Sequence, residues 1–398
     1  MSQHRSSFGG QFQKGFKYRL YPNLAQQRYL TQVFGACRYV YNRHLAEQQT
    51  AYQLWRSDKS GYPAPSVSAF AFSLKLPQWK QDPETAWLAD MSSQSLQIAS
   101  HHAADAFKQF FRRGHGYPKF RTRKGRQSVH YTNQSSSIRE GKLWLSKCSG
   151  MIKISVDDRG LPPHFTQCVV SRSPSGKYYV SFTAHYTPER TSGEQFVGMD
   201  LGLTDLATLS TGEVLPNHRY YLQAQRKLGK LQRQLAKKQK GSKNRNKART
   251  KLARAYERVS NVRSNTLHQF TTSLIREHQA IGIEDLNVKG MMQNRRLSKH
   301  IGDASWGEIG RQLRYKAVAS QHCTLVIADP FYPSTQLCSC CGKKPVQRLK
   351  LYERRWTCLY CGSTHQRDIN AAENLKQLAI REHVRKNDPT TRIILTCR

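Results

Sequence analysis

Two Cys-x-x-Cys pairs, Cys338/Cys341 and Cys358/Cys361, constrain the fold of this chain more than any other feature. Sixteen residues separate them, and a glycine follows each (Gly342 and Gly362). Each pair suits a tight turn that presents two thiolates to one end of a metal. Two such turns make the tetrahedral site of a zinc ribbon, with Zn–S distances of about 2.3 Å. Four thiolates leave no open coordination position, so the Zn2+ is expected to be structural. Cys340 offers a substitute ligand, although its adjacency to Cys341 makes it a poor partner. An iron–sulfur cluster is the rival occupant, but nothing else in the chain suggests redox chemistry. The other five of the ten cysteines, Cys37, Cys148, Cys168, Cys323 and Cys397, are scattered. A secreted disulfide framework would place cysteines at pairing distances throughout a small domain. Here a reduced compartment is expected, with the scattered thiols as small buried hydrophobes.

Charge narrows the class of partner. The 398 residues carry 64 Lys and Arg against 26 Asp and Glu, a net charge of +38. Such an excess repels itself unless it meets a polyanion, and phosphate backbone is the usual one. The basic residues are spread over several segments without a single amphipathic anchor, which favours nucleic acid over membrane. No stretch approaches the roughly 18 consecutive apolar residues of a membrane span. The first twenty residues lack the apolar region of a secretory signal. A cytoplasmic protein is expected, with room for two or three domains.

The pattern along the chain changes character several times. Residues 1–15 are polar and read as a disordered tail. Gly15 to Tyr21 alternates basic and apolar residues, as a strand does. Residues 23–117 are helical in pattern, with breaks expected at Gly35, Pro77 and Pro83 and a clear stop at Gly114–Pro118. From Phe120 to Tyr186, short β-like runs separated by turn residues predict a small antiparallel unit, a candidate barrel completed by the strand at 15–21. A linker is expected at 187–194. An α/β pattern follows, with strands at Phe196–Asp200, Leu206–Ser210, Ala280–Glu284 and Cys323–Asp329. A helix is expected from Ser305 to Ser320 and another from Asp368 to Leu378, with a tail over 381–398.

Three carboxylates stand out in a chain so poor in acids. Asp200 ends the apolar strand Val197-Gly198-Met199, Glu284 ends Ala280-Ile281-Gly282-Ile283, and Asp368 opens the last helix. Singly, each has a bland explanation as an exposed strand end or a helix N-cap. Together they suit phosphodiester cleavage, in which two divalent metals roughly 3.5–4 Å apart activate water and stabilise the leaving oxygen. Carboxylate ligands suit Mg2+ or Mn2+.

The motifs VGMDLGL, STGE, IGIEDLNVKGMM and CSCCG…CLYCG…HQRDINAAENL resemble the TnpB (OrfB) family of bacterial insertion sequences, relatives of the type V CRISPR effector nucleases. FKYRLYPNLAQQRYL, FGACRYVYN and GYPKFRTRKG are similar to the family's N-terminal half, and IGDASWGEIGRQLRYKA to its segment between the second and third acids. The resemblance implies an α+β multidomain fold. A RuvC/RNase H-like α/β nuclease domain (191–335 and 365–380) would carry a zinc ribbon (336–364). An OB-like β barrel, or wedge (16–22 and 118–190), would be interrupted by a helical recognition lobe (23–117). It implies a metal-dependent endonuclease that binds a transposon-end guide RNA and cleaves complementary double-stranded DNA beside a short adjacent motif. The catalytic and magnesium-binding acids fall on Asp200, Glu284 and Asp368, and the zinc ligands on Cys338, Cys341, Cys358 and Cys361. The family often has Asp-Arg-Asp where this chain has Gln366-Arg367-Asp368. A nuclease-inactive RNA-guided repressor and an accessory transposase are the alternative functions.

Two basic segments are the candidate nucleic-acid contacts. Residues 219–263 hold sixteen Lys or Arg and one acid, Glu257, and read as an inserted helical hairpin. Leu228, Leu231 and Leu235 form one apolar stripe there, and Leu252, Val259 and Val262 another. Arg226, Lys227, Lys230, Arg233, Lys237 and Lys238 are expected to meet phosphate backbone. The second run, with Lys119, Arg121, Arg123 and Lys124, is interleaved with Tyr117, Phe120 and Tyr131. These rings suit stacking on single-stranded bases, and suit a core equally well.

Overall fold

The computed structural model describes residues 12–112, 115–158, 160–186, 193–350 and 352–387. Two compact units divide the chain, Met1–Thr187 and Pro188–Arg398. The expected linker at 187–194 falls mostly outside the described residues, as do Cys397 and residues 1–11.

The first unit is built on strand β1 (Phe12–Tyr21), which begins inside the stretch expected to be disordered. Asn23 then starts α1 (Leu24–Ser57) with a reciprocal cap, its side chain accepting from Gln26 N while Gln26 accepts from Asn23 N. The break expected at Gly35 does not occur. A mid-helix glycine costs only about 1 kcal/mol relative to alanine, and the buried Leu30, Val33, Phe34, Ala36 and Val40 outweigh it. Helix α2 (Ala69–Gln81) contains Pro77, and α3 (Ser93–Phe111) completes the helical segment.

Strands β2 (Gln127–Thr132), β3 (Ser136–Arg139), β4 (Lys142–Leu145), β5 (Ile152–Ser155), β6 (Gln167–Arg172) and β7 (Tyr178–Tyr186) join β1 in one sheet. Its order is β2-β6-β7-β1-β5-β4-β3, with every pairing antiparallel. Strands β2 and β3 lie at opposite ends of this order, yet only residues 133–135 separate them. A connection that short forces the sheet to roll until its edges approach, giving the barrel-like form. Tyr18, Leu20, Leu143, Ile152, Val170, Val180 and Phe182 fill its interior.

The second unit has a mixed sheet of β8 (Gln195–Leu201), β9 (Asp205–Leu209), β10 (Val214–Pro216), β11 (His278–Ile283) and β12 (Thr324–Ile327), ordered β10-β9-β8-β11-β12. β11 runs parallel to both of its neighbours. The basic hairpin forms as α4 (Tyr220–Ala236) and α5 (Lys243–Glu277). Helix α5 continues past the expected end at 263, because Leu267, Leu274 and Ile275 enter the core. Short helices α6 (Val288–Met291) and α7 (Ser298–Ala304) lead to α8 (Trp306–Ser320). The cysteine segment contains the hairpin β13 (Arg355–Thr357) and β14 (Thr364–Gln366). Helix α9 (Arg367–Asn387) then extends into the stretch expected as a tail. No helix among the described residues is long and apolar enough to cross a membrane.

Candidate nuclease site and zinc ribbon

The register of two parallel strands brings the first two acids together. Gly198 pairs with Gly282 and Met199 with Ile283, so Asp200 and Glu284 follow side by side on strands about 4.8 Å apart. Side chains alternate across a sheet, so each acid shares a face with the glycine two residues before it. Helix α9 lies on that face. A Cβ on Gly198 would stand 1.8 Å from the carbonyl oxygen of Ala372, and one on Gly282 would stand 2.1 Å from that of Leu375. Only glycine admits a helix backbone so close. Asp368 is one turn before Ala372, about 6 Å along the helix, and Asp200 lies about 6.6 Å along its strand from Gly198. The glycine seats therefore bring the start of α9 level with the two strand acids.

The electrostatics agree with this placement. Burial first, and then the charges of Glu284 and Asp368, push the Asp200 carboxyl up to about 8, against the opposing pull of Arg367 and Arg354. Ser334 Oγ donates to Glu284 Oε1, and Asn374 of α9 fixes Ser334 by donating to its carbonyl at 2.8 Å. Arg354 Nη1 donates to both oxygens of Asp368 at 3.2 Å each. Ser334 and Arg354 were missed from sequence, since no local pattern links them to acids 50 and 14 residues away. Arg367 donates to Lys350 O at 3.1 Å, which gives it a structural partner. Gln366, at the family's frequent aspartate position, accepts from Ile369 N at 2.7 Å and so caps the first turn of α9.

The four expected cysteine sulfurs lie within 4.8 Å of one another. Cys338 and Cys361 are 3.5 Å apart and Cys341 and Cys358 3.6 Å, close to the roughly 3.8 Å edge of a tetrahedral Zn–S4 site. The two knuckles repeat one design. Gly342 N donates to Cys338 O and Gly362 N to Cys358 O, each at 2.8 Å. Both glycines have positive φ, 70° and 72°. Hydrogen bonding with Ser363 draws the Cys361 thiol down to about 6, whereas burial pushes the Cys338 thiol up to about 12. This tetrad can hold a zinc ion. Cys340 lies outside it, in a second possible set with Cys338 and His365. His365 Nε2 is 3.0 Å from Cys338 Sγ, a neighbour the Cys-x-x-Cys spacing gave no reason to seek.

The cysteine segment and α9 are tied together. Asn370 Nδ2 donates to Leu337 O at 2.7 Å while its Oδ1 accepts from Ser339 N at 2.9 Å. Asn374 adds a second bond to Leu337 O at 2.8 Å.

All ten expected nucleic-acid residues are exposed. On α4, Leu228 and Leu231 are buried, leaving Arg226, Lys227, Lys230, Arg233, Lys237 and Lys238 free along the outer side. Val262, expected in the apolar stripe of α5, instead faces solvent. Its helix turns that position outward between the partly buried Val259 and Arg263. Buried Asp303 clamps the start of α4, accepting from Tyr221 N and Leu222 N at 2.9–3.1 Å, with Arg263 at 3.7 Å. Around Lys119, Arg121, Arg123 and Lys124 the rings divide. Tyr131 is fully buried and Phe120 is exposed, while Tyr117 packs edge-on to Phe107 and Phe110.

Comparison with known proteins decides the family. A relative from Streptomyces pristinaespiralis, "Putative RNA-guided DNA endonuclease", is 38% identical over 372 residues, covering 92% of this chain and 89% of that protein. The chain belongs to the TnpB (OrfB) family. The Escherichia coli (strain K12) member "Putative RNA-guided DNA endonuclease InsQ" is 32% identical over 382 residues, 91% of each chain. The family profile for OrfB of the IS605 type, described as "Probable transposase", matches residues 167–295, and a Cas12f1-like TNB domain matches 306–375. The OrfB profile described as "Helix-turn-helix domain" matches 12–56, a stretch that here forms β1 and one unbroken helix. Among solved structures, the Cas12f1 chain of a complex with sgRNA and target DNA matches with a TM-score of 0.55. That match has 11% identity and covers 92% of this TnpB-family chain and 99% of the Cas12f1 chain. At that identity the likeness is one of fold.

Proposed function

We propose that this TnpB-family chain is an RNA-guided DNA endonuclease that binds a transposon-end guide RNA and hydrolyses complementary DNA beside a short adjacent motif, with Asp200, Glu284 and Asp368 as its catalytic acids. The observation that carries the reading is the convergence of two adjacent strand-end acids with a third at the start of a glycine-seated helix. The barrel-like sheet with its helical segment serves as wedge and recognition lobe, and the second unit serves as a RuvC-like nuclease with a zinc ribbon inserted before its last helix.

The acid site fits divalent cations. Its carboxylates are hard oxygen donors, and burial together with the charges of Glu284 and Asp368 keeps Asp200 largely protonated at neutral pH, so a cation there would relieve an existing conflict. Two Mg2+ or Mn2+ ions held by the three acids would supply an activated water and charge stabilisation at the leaving oxygen. The chain's own contribution is positional. Ser334 orients Glu284, the glycine seats fix Asp368, and Arg354 and Arg367 bring positive charge to the edge of the acid site, where a scissile phosphate would approach. The basic face of α4 tracks phosphate backbone without reading sequence. Sequence choice falls to guide pairing and to the adjacent motif.

The test is plasmid cleavage by protein co-expressed with its transposon-end RNA, with a randomised motif beside the target and Asp200→Ala in parallel. Cleavage that requires both the RNA and Asp200 supports the reading. Guided binding without cleavage by the wild-type chain favours the repressor alternative. Strand joining without RNA favours the transposase.

A further inference from the structure

In the first unit a cavity of about 660 Å³ opens between α1, α3, β2 and the loop at 120–126, within the roughly 300–1,000 Å³ range of small-ligand pockets. Arg38, Arg121 and Arg126 line it against a single carboxylate, Asp105, which already has Lys108 at 3.9 Å. Phe34 and Ile98 make part of its wall apolar, and the exposed ring of Phe120 lies beside them. His102 and His130 also line it, packed edge to face with centroids 4.7 Å apart. Burial lowers the pKa of both, that of His130 to about 4. At neutral pH these imidazoles are uncharged, each with one donor and one acceptor nitrogen.

Two of the cations, Arg38 and Arg121, are held in place before any ligand arrives. The Asn42 side chain accepts from Arg121 N at 2.8 Å and donates to Arg121 O at 2.9 Å. The Arg121 guanidinium lies 3.8 Å from the centre of the Tyr41 ring. Gln127 accepts from Arg38 at 3.4 Å and donates to the carbonyls of Arg123 and Gly125 at 3.0 Å each. Three guanidiniums answer a phosphate. Apolar wall, ring and neutral imidazoles answer a base that is stacked and bonded along its edge. An inorganic anion would leave that second half unused.

We propose that this cavity binds one nucleotide of a single-stranded nucleic acid, with its phosphate on Arg38, Arg121 and Arg126 and its base between the apolar wall and the two imidazoles. The proposal deepens the nucleic-acid reading above and rests on it.

The test uses full-length Asp200→Ala protein, so that cleavage plays no part. RNA and DNA oligonucleotides carrying 4-thiouridine or 4-thiothymidine are photo-crosslinked in separate arms, and the adducts are mapped by mass spectrometry. Crosslinks are expected on the segments holding Phe34, Ile98–His102 and Phe120–His130, and the arm that gives them identifies the strand. Arg38→Ala with Arg126→Ala should cut those crosslinks about tenfold, the cost of a lost charged hydrogen bond. The log–log salt slope of binding should fall by roughly one. Arg38→Lys with Arg126→Lys should restore part of both, which separates charge from folding. If oligonucleotides bind but crosslink only elsewhere, unchanged by the alanine pair, the cavity proposal falls and the nucleic-acid reading stands. If neither strand binds at all, both fall.

Discussion

Replacing Gly198 with alanine probes the seat on which the acid site depends. The new Cβ would stand 1.8 Å from Ala372 O and 2.4 Å from Lys376 N, where ordinary contact begins near 3.4 Å. The backbone of α9 must therefore withdraw by about 1.6 Å, the difference between 3.4 and 1.8 Å. Both obstructing atoms are main chain, so no change of rotamer absorbs the clash. Asp368, one turn along the same helix, is carried away from Asp200 and Glu284 by a comparable distance. Functional constellations tolerate about 0.5 Å, and a misplacement of about 1 Å costs on the order of 100-fold in rate. Single-turnover cleavage by Gly198→Ala should accordingly fall at least about 100-fold. Stability should drop by about 1–3 kcal/mol, as for other overpacked sites. Guide-RNA binding, measured on the same preparation, should persist, because α4 carries its exposed basic residues on a separate hairpin. Gly282→Ala, whose Cβ would stand 2.1 Å from Leu375 O, should behave alike. A Gly198→Ala protein that cuts as fast as wild type, at an unchanged melting temperature, would refute the seat and with it the placement of Asp368.

Four other outcomes are expected. Cys358→Ser should abolish zinc measured by elemental analysis, and should lower the melting temperature and cleavage together, since structural zinc supplies on the order of 10 kcal/mol of folding free energy. Retained cleavage in a zinc-free protein would contradict the coupling. Because Asp200 holds its proton up to about 8 without metal, magnesium must displace that proton at lower pH. Its half-saturating concentration for cleavage should fall about tenfold per pH unit up to about 8 and then level off. In magnesium-free protein the sign reverses for stability. The raised carboxyl contributes most below its ordinary value of about 3.8, and that stability is lost as pH rises toward about 8. A melting temperature flat across that window would count against it. Finally, Arg226→Ala, Lys230→Ala and Arg233→Ala together should weaken RNA binding evenly across sequences and lower the salt slope by roughly 2. An unchanged slope would remove α4 from the interface.

The proximity of Asp200 to Glu284 and the clustering of the thiols have local signs in the sequence, two apolar runs each ending in a carboxylate and a two-residue spacing between cysteines, whereas Asp368 at the start of the last helix has none of that kind. The strand before the helical segment was legible from a local sign, since its alternation persists over seven residues, and it proved to be the central strand of the rolled sheet. Boundaries failed where tertiary packing overrode a local signal. Gly35 did not stop α1, and α5 ran past 263 because its later residues bury Leu267, Leu274 and Ile275. Helix α9 passed 380, where His383 packs edge-on to Phe196 and lies 3.1 Å from Thr324 Oγ1. What sequence could not supply was pairing over distance. Ser334 with Glu284, Arg354 with Asp368 and His365 with Cys338 depend on how separate segments fold back, and no periodicity records that.

The role of α9 follows from its two sets of contacts. On one side it rests on Gly198 and Gly282, and on the other Asn370 and Asn374 tie it to Leu337, Ser339 and Ser334. Asp368 lies at the end of the helix where both sets meet. The thiolate tetrad, though it offers no open ligand position, is therefore mechanically part of the acid site, since loosening the first knuckle frees the very residues that hold the first turns of α9. Burial first, and then the charges of Glu284 and Asp368, displace the Asp200 carboxyl. Placing three of 26 acids together in a chain of net charge +38 is opposed by their own repulsion. Only a rigid frame can hold such a cluster, and a bound cation would relieve it.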